Sequence, residues 1–130
     1  MVKDSEKIGA VMVVGSGIAG IQASLDLANS GMKVYLVENG ISIGGVMAQL
    51  DKTFPTNDCS MCILSPKLVE CGRHLNIEII PHSRITGISG EPGNFTVSVL
   101  RKPSYVDPAK CVACGACAEK CPSKVSDEFN

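Results

Sequence analysis

Near its end the chain carries Cys111, Cys114, Cys117 and Cys121, the last followed by Pro122, in a C-x2-C-x2-C-x3-C-P run. Gaps of two residues let a short loop wrap one corner of a cube and present three thiolates with several backbone N–H groups. The longer third gap and the proline turn the fourth thiolate away toward a second site. The run therefore reads as ligands of an iron–sulfur cluster, with Cys121 reaching a different one. Zinc is the alternative, but structural zinc sites usually use two well-separated ligand pairs.

A second constellation lies at the other end. Gly15, Gly17 and Gly20 form G-x-G-x-x-G directly after the apolar run Ile8–Val14 and just before "IQASLDLANSG". Gly15 permits a tight turn, Gly17 lets the backbone approach a pyrophosphate, and Gly20 allows a helix to pack closely on a strand. The helix N-terminus then offers free N–H groups and the positive end of its dipole to phosphates. Glu38, closing the next apolar run, stands where an acid hydrogen-bonds a ribose. A glycine-rich turn kept for packing alone does not explain that acid. The loop reads as a dinucleotide site, for NAD or FAD.

The remaining chemistry-bearing residues are less decided. Cys59 and Cys62 in "NDCSMC" fit a redox dithiol, two further cluster ligands, or thiols packed in a core. Cys71, between Glu70 and Gly72, reads as a small buried hydrophobe, and Met47 and Met61 as packing residues. His74 and His82 stand outside any ligand pattern and read as solvated or hydrogen-bonded surface residues.

The elements that position these residues follow from periodicity. Ile8–Val14 and Lys33–Asn39 read as buried parallel strands. Between them Ile21, Leu25 and Ala28 recur at helical spacing, with Gly31 as the stop. Strand, glycine turn, helix and strand make a βαβ unit. Helical turns are expected around Val46–Leu50 and Ser65–Cys71, then a strand at "NIEII". "RITGISG" and "FTVSVL", joined by "EPGN", alternate like a hairpin or meander. Pro103 and Pro108 mark "RKPSYVDP" as a linker. The expected division is residues 1–102 as a nucleotide-binding domain and 103–130 as linker and cluster segment.

Composition narrows the class. The 130 residues are 45% hydrophobic with a net charge of −1 and 4% aromatic, and there is no Trp. That leaves no electrostatic footprint for nucleic acid or an anionic membrane, and few platforms for base stacking. The longest apolar run falls well short of the roughly 20 residues of a membrane span. "MVKDSEKIGA" lacks a secretory h-region, so a cytoplasmic location is expected. An odd count of seven cysteines, four of them crowded into one run, argues against a secreted disulfide framework.

The pair Gly44–Gly45 resembles the GG signature after the first βαβ unit in flavoproteins of the two-dinucleotide-binding-domain superfamily, which favours FAD over NAD. Ser42 stands where a basic residue often precedes that pair. The Cys59–Cys62 neighbourhood, with "ILSPK" after it, also resembles the dithiol region of disulfide reductases, at a longer distance from the glycine pair.

More of the chain points further. "GSGIAGIQASLDLANSG", "GGVMAQLDKTFPTNDCSMCILSPKLVECGRHLNIEII" and "GNFTVSVLRKPSYVDPAKCVACGACAEKCP" closely resemble the A-subunit family of heterodisulfide reductase, together with its relatives in sulfate-reducing and other anaerobes. The resemblance implies an α/β fold: a Rossmann-like FAD domain with a β-meander, interrupted by a partial ferredoxin-like [4Fe–4S] segment. It implies an oxidoreductase passing electrons between FAD and clusters, several members being linked to electron bifurcation. Implied partners are subunits of the B and C types and an electron-donating hydrogenase or dehydrogenase.

By position, Gly15, Gly17, Gly20, Glu38, Gly44 and Gly45 would hold the ADP half of FAD. Cys111, Cys114 and Cys117 would hold one cluster and Cys121 the other. A second cysteine run and the rest of the FAD domain would then lie beyond Asn130, making this chain the N-terminal part of a longer protein. The competing expectation is a stand-alone iron–sulfur or nucleotide-binding module, whose missing cluster ligand would come from Cys59, Cys62 or Cys71.

Overall fold

A computed structural model of the protein describes residues 9–107 and 109–123. The first strand, β1, spans Ala10–Val14; Ile8, expected to begin it, lies outside the described residues. Helix α1 follows over Ile18–Asn29 and β2 over Lys33–Val37. A 3-10 turn covers Gly45–Gln49, and the two-residue strands β3 (Lys52–Thr53) and β4 (Asp58–Cys59) pair antiparallel. Helix α2 runs over Ser60–Arg73, β5 over Ile77–Ile80, β6 over Ser83–Glu91 and β7 over Asn94–Arg101. A single helical turn, α3, spans Ala116–Glu119.

β2 is the centre of a parallel sheet of order β1-β2-β5, in register from Ala10↔Lys33 to Val14↔Val37 on one side and from Val34↔Ile77 to Val37↔Ile80 on the other. Its alternate residues Val34 and Leu36 are fully buried under the helices, as the two-residue strand period requires. From α1 the core receives Ile21, Leu25 and Ala28, at the spacing read from the sequence; α2 adds Leu64 and Cys71, and β5 adds Ile77. Burying a residue such as Ile21 or Leu36 contributes about 1.5–3 kcal/mol each. This packing holds the C-terminal end of β1 against the N-terminus of α1.

Three local expectations change in detail. α2 starts at Ser60 rather than near Ser65 and continues through Pro66. Leu64 and Cys71 lie on one helical face, and their burial outweighs the hydrogen bond that the proline removes. β2 stops at Val37, one residue short of the acid. Met61 is 41% exposed, so of the two methionines only Met47 packs on the core.

β6 and β7 form one two-stranded hairpin closing at Glu91↔Asn94, with a bulge between Ile85 and Gly87. The hairpin springs from the end of the parallel sheet: the Glu38 N–H donates to Ile80 O, and Glu38 O accepts from the Ser83 N–H at 2.8 Å. Among the described residues no helix is long and apolar enough to cross a membrane.

Candidate cofactor sites

The glycine loop joins β1 to α1. Gly15 has φ +92°, a conformation that a side chain resists, and its N–H donates to Val37 O at 2.8 Å, locking the turn to β2. A Cβ added at Gly20 would overlap the Gly15 carbonyl oxygen, so helix and turn meet at a distance only glycine allows. Gly17 is different. Its Cβ would meet nothing within 4 Å, so the space above its backbone is open. It caps α1 without any side-chain hydrogen bond, and the first-turn N–H groups have no acceptor within the helix.

Glu38 sits at the tip of β2 and turns back onto this loop. Its Oε2 accepts from the Ser16 N–H at 2.7 Å and from the Ser16 hydroxyl, while Oε1 accepts from the Gly40 N–H at 2.6 Å. Burial raises its pKa, but the bonds from the Ser16 hydroxyl and from the N–H groups of Gly40, Ser16 and Asn39 outweigh it and hold the carboxyl below its ordinary value. Glu38 is therefore a carboxylate; Oε2 already accepts two bonds and Oε1 one, so Oε1 is the oxygen that retains capacity for a further hydroxyl. Ser16 was not among the residues singled out by motif. It is fully buried, and its small hydroxyl between two glycines was the available signal.

The glycine pair arrives from elsewhere in the chain. The Gly44 N–H donates to Ser16 O at 2.8 Å, and Gly44 takes φ +124°. A Cβ at Gly45 would come within 2.9 Å of the Gly17 Cα. Gly15, Ser16, Gly17, Gly44 and Gly45 thus form one cradle of bare backbone with Glu38 at its side. The first-turn N–H groups of α1 opening onto this bare backbone, next to an ionised carboxylate, fit a diphosphate and a ribose, the two parts of the ADP half of FAD.

The cysteines divide into three kinds. Cys59 and Cys62 are disulfide-bonded at the start of α2, with Cα atoms 5.3 Å apart. Cys71 is buried in the core, where burial and then the charge of Glu70 push its thiol up. Cys111, Cys114, Cys117 and Cys121 are exposed free thiols along a loop and α3. No group of three or more metal-ligating side chains is gathered among the described residues. Cysteine thiolates at this spacing fit an iron–sulfur cluster in donor chemistry, since each is outside any disulfide and exposed. His74 is a hydrogen-bonded surface residue: its Nε2 lies 3.2 Å from Asn29 Oδ1, and its Nδ1 accepts from the Asn76 N–H.

A parallel βαβ unit with this cradle, followed by a cysteine run, defines a flavin-type dinucleotide domain carrying an iron–sulfur segment. Two family profiles match the same regions: FAD dependent oxidoreductase over residues 10–63 and 4Fe-4S binding domain over residues 104–125. The cofactors of the two segments are accordingly FAD and a [4Fe–4S] cluster. The chain is 56% identical over 119 residues to a CoB--CoM heterodisulfide reductase iron-sulfur protein of the A-subunit type from Methanopyrus kandleri, covering 92% of this chain and 18% of that protein. With a heterodisulfide reductase A-subunit-like protein of Archaeoglobus profundus it shares 57% identity over 122 residues, covering 92% of this chain and 17% of the relative. Its fold is similar to Lactococcus lactis thioredoxin reductase, with a TM-score of 0.55 and 29% identity over 72% of this chain and 31% of that one. The chain belongs to the heterodisulfide reductase A-subunit family, and it spans less than a fifth of the length of these relatives.

Proposed function

We propose that this chain supplies the ADP-binding half of an FAD site and one cluster-binding loop of an oxidoreductase of the heterodisulfide reductase type. The observation that carries the reading is the junction of Gly44–Gly45 with the Gly15–Gly17 loop, made by the Gly44 N–H and Ser16 O. It turns two separate glycine motifs into one phosphate cradle. The first-turn N–H groups of α1 neutralise the diphosphate charge, the open backbone at Gly17 admits it, and Glu38 accepts a ribose hydroxyl while holding Ser16 in place.

In the tail, Cys111, Cys114 and Cys117 ligate one [4Fe–4S] cluster and Cys121 a second. Residues 1–102 serve as the FAD-binding part and 103–130 as linker and cluster segment. Bound to these groups, FAD handles electron pairs and the clusters carry single electrons. The parent protein would pass electrons between them together with B- and C-type subunits and a hydrogenase- or dehydrogenase-type donor, in the cytoplasm. Support comes from relatives named as heterodisulfide reductase A subunits at 51–57% identity.

Gly17→Val in the full-length protein tests the reading. The branched side chain enters space empty of protein atoms, so the fold should persist while flavin retention drops at least about tenfold. Normal flavin absorbance in the purified variant would overturn the FAD assignment.

A further inference from the structure

The disulfide at the start of α2 belongs neither to the cradle nor to the cysteine tail, and it is built where a thiolate can be used. Cys59 is the N-cap of a 14-residue helix, and its Sγ accepts the Cys62 N–H at 3.2 Å. A sulfur anion released there sits at the positive end of the helix dipole with an N–H already aimed at it. Lys52 is its directly opposed partner in the β3–β4 pair, placing a cation on the same face. Both cysteines are exposed. Cys71, further along the same helix, is buried and held as a thiol.

The turn between the two sulfurs is firmly held. Ser60 is fully buried, its hydroxyl reaches the carbonyl oxygens of Met47 and Leu50, and its N–H donates to Asp51 O at 3.1 Å. Those carbonyls belong to or adjoin the 3-10 turn Gly45–Gln49, whose first residue packs on Gly17. The disulfide is thus fixed to the chain segment that completes the cradle.

We infer that Cys59 and Cys62 form a reversible dithiol–disulfide couple that exchanges electron pairs with a thiol partner, with Cys59 as the nucleophilic and leaving sulfur. In the reducing direction a thiolate of an external dithiol attacks Cys62 Sγ. The Cys59–Cys62 bond breaks, Cys59 departs as the thiolate stabilised by α2, and a mixed disulfide forms at Cys62. The reductant's second thiolate then displaces Cys62. The partner leaves as a disulfide, two electrons having moved to the chain, and the two protons the dithiol shed on forming its thiolates are passed through solvent to the cysteine pair. In reverse, the Cys62 thiolate opens a partner disulfide to give the same mixed disulfide, and the Cys59 thiolate attacks Cys62 Sγ, closing the pair and releasing the partner. This couple stands independently of the FAD and cluster assignments.

The test uses the full-length protein, purified without oxygen and equilibrated in dithiothreitol buffers of graded oxidised-to-reduced ratio. Free thiols are then alkylated and located by mass spectrometry. Cys59 and Cys62 should become labelled together as the buffer turns reducing and protected together when it is reversed, with Cys71 unlabelled in the native state. In single variants, Cys59 of Cys62→Ser should react with iodoacetamide at least about tenfold faster than Cys62 of Cys59→Ser. Labelling insensitive to the buffer ratio would overturn the couple. So would a pair that becomes reactive only after an iron chelator is added, since that marks cluster ligands. Faster reaction at Cys62 would overturn the assigned roles.

Discussion

The glycine cradle and the cysteine tail are the two candidate cofactor sites of one chain, yet they are built in opposite ways. The cradle is complete in the bare protein. Its turn, helix N-terminus, second glycine pair and acid are tied together by hydrogen bonds and packed under Ile21, Val34 and Leu36. In the tail every described residue from Lys102 to Ser123 is exposed, and the four free thiols lie in and around a single helical turn. A diphosphate is recognised by backbone groups that secondary structure already orients. A cluster is held by side chains that gain their arrangement from the metal bonds themselves, so that binding and local folding are one event. Damage at a packed joint of the first, such as Gly20, should therefore spread into the fold, and damage to the second should stay local.

The sharpest way to break that contrast is Gly20→Ala. The added methyl overlaps the Gly15 carbonyl oxygen and pushes α1 away from β1, which should cost about 3 kcal/mol or more of stability as well as the flavin. Thermal unfolding together with flavin absorbance measures both. A variant with unchanged melting temperature would show that the cradle is not integral to the core.

Cys114→Ser makes the complementary cut. Iron and sulfide analysis should show the loss of one cluster, about four iron atoms per chain, while flavin content and the melting of the α/β part stay unchanged. Loss of flavin alongside the iron would mean that the two segments fold as a unit.

The smallest effect belongs to Glu38→Gln, which weakens the brace on Ser16 without emptying it. Bonds to a charged acceptor of this kind contribute about 1.5–3 kcal/mol, and the amide retains part of that, so a loss of about 1 kcal/mol is expected near neutral pH. The folded carboxyl titrates below its ordinary value of 4.5. Its contribution is thus fully present above that value and disappears as pH falls through the lower folded one. Chemical denaturation from about pH 7 down to about pH 3 should show wild type and variant converging in acid. A constant gap would place the stabilisation elsewhere.

Much of the cradle was legible beforehand. Gly15, Gly17, Gly20 and Glu38 carry a motif whose spacing is imposed by covalent geometry, and Ile21, Leu25 and Ala28 announce the buried face of α1. The brace between Ser16 and Glu38 was not legible, because a serine between glycines carries no periodic signal and its partner comes from another strand. Nor was the true start of α2. Pro66 suggests a boundary, whereas burial of Leu64 and Ser60 decides that the helix begins earlier. Cys59 and Cys62 could be read three ways from spacing, and only the helix beginning between them sets one sulfur on its N-cap, bonded to the other.

The sequence by itself determined which of the longer apolar or alternating runs become strands, where the chain must turn on glycine, and which cysteines are spaced for a cluster. Each of these depends on residues close together along the backbone, where sterics and periodicity act directly. Tertiary structure alone decided that Gly44 would donate to Ser16, that Glu38 would fold back onto the loop, and that Cys59 would cap α2 while bonded to Cys62. Those outcomes depend on where β2, the 3-10 turn and α2 come to rest against one another. Placement of that kind follows from burying one shared apolar face, a property of the whole core that no local stretch of sequence contains.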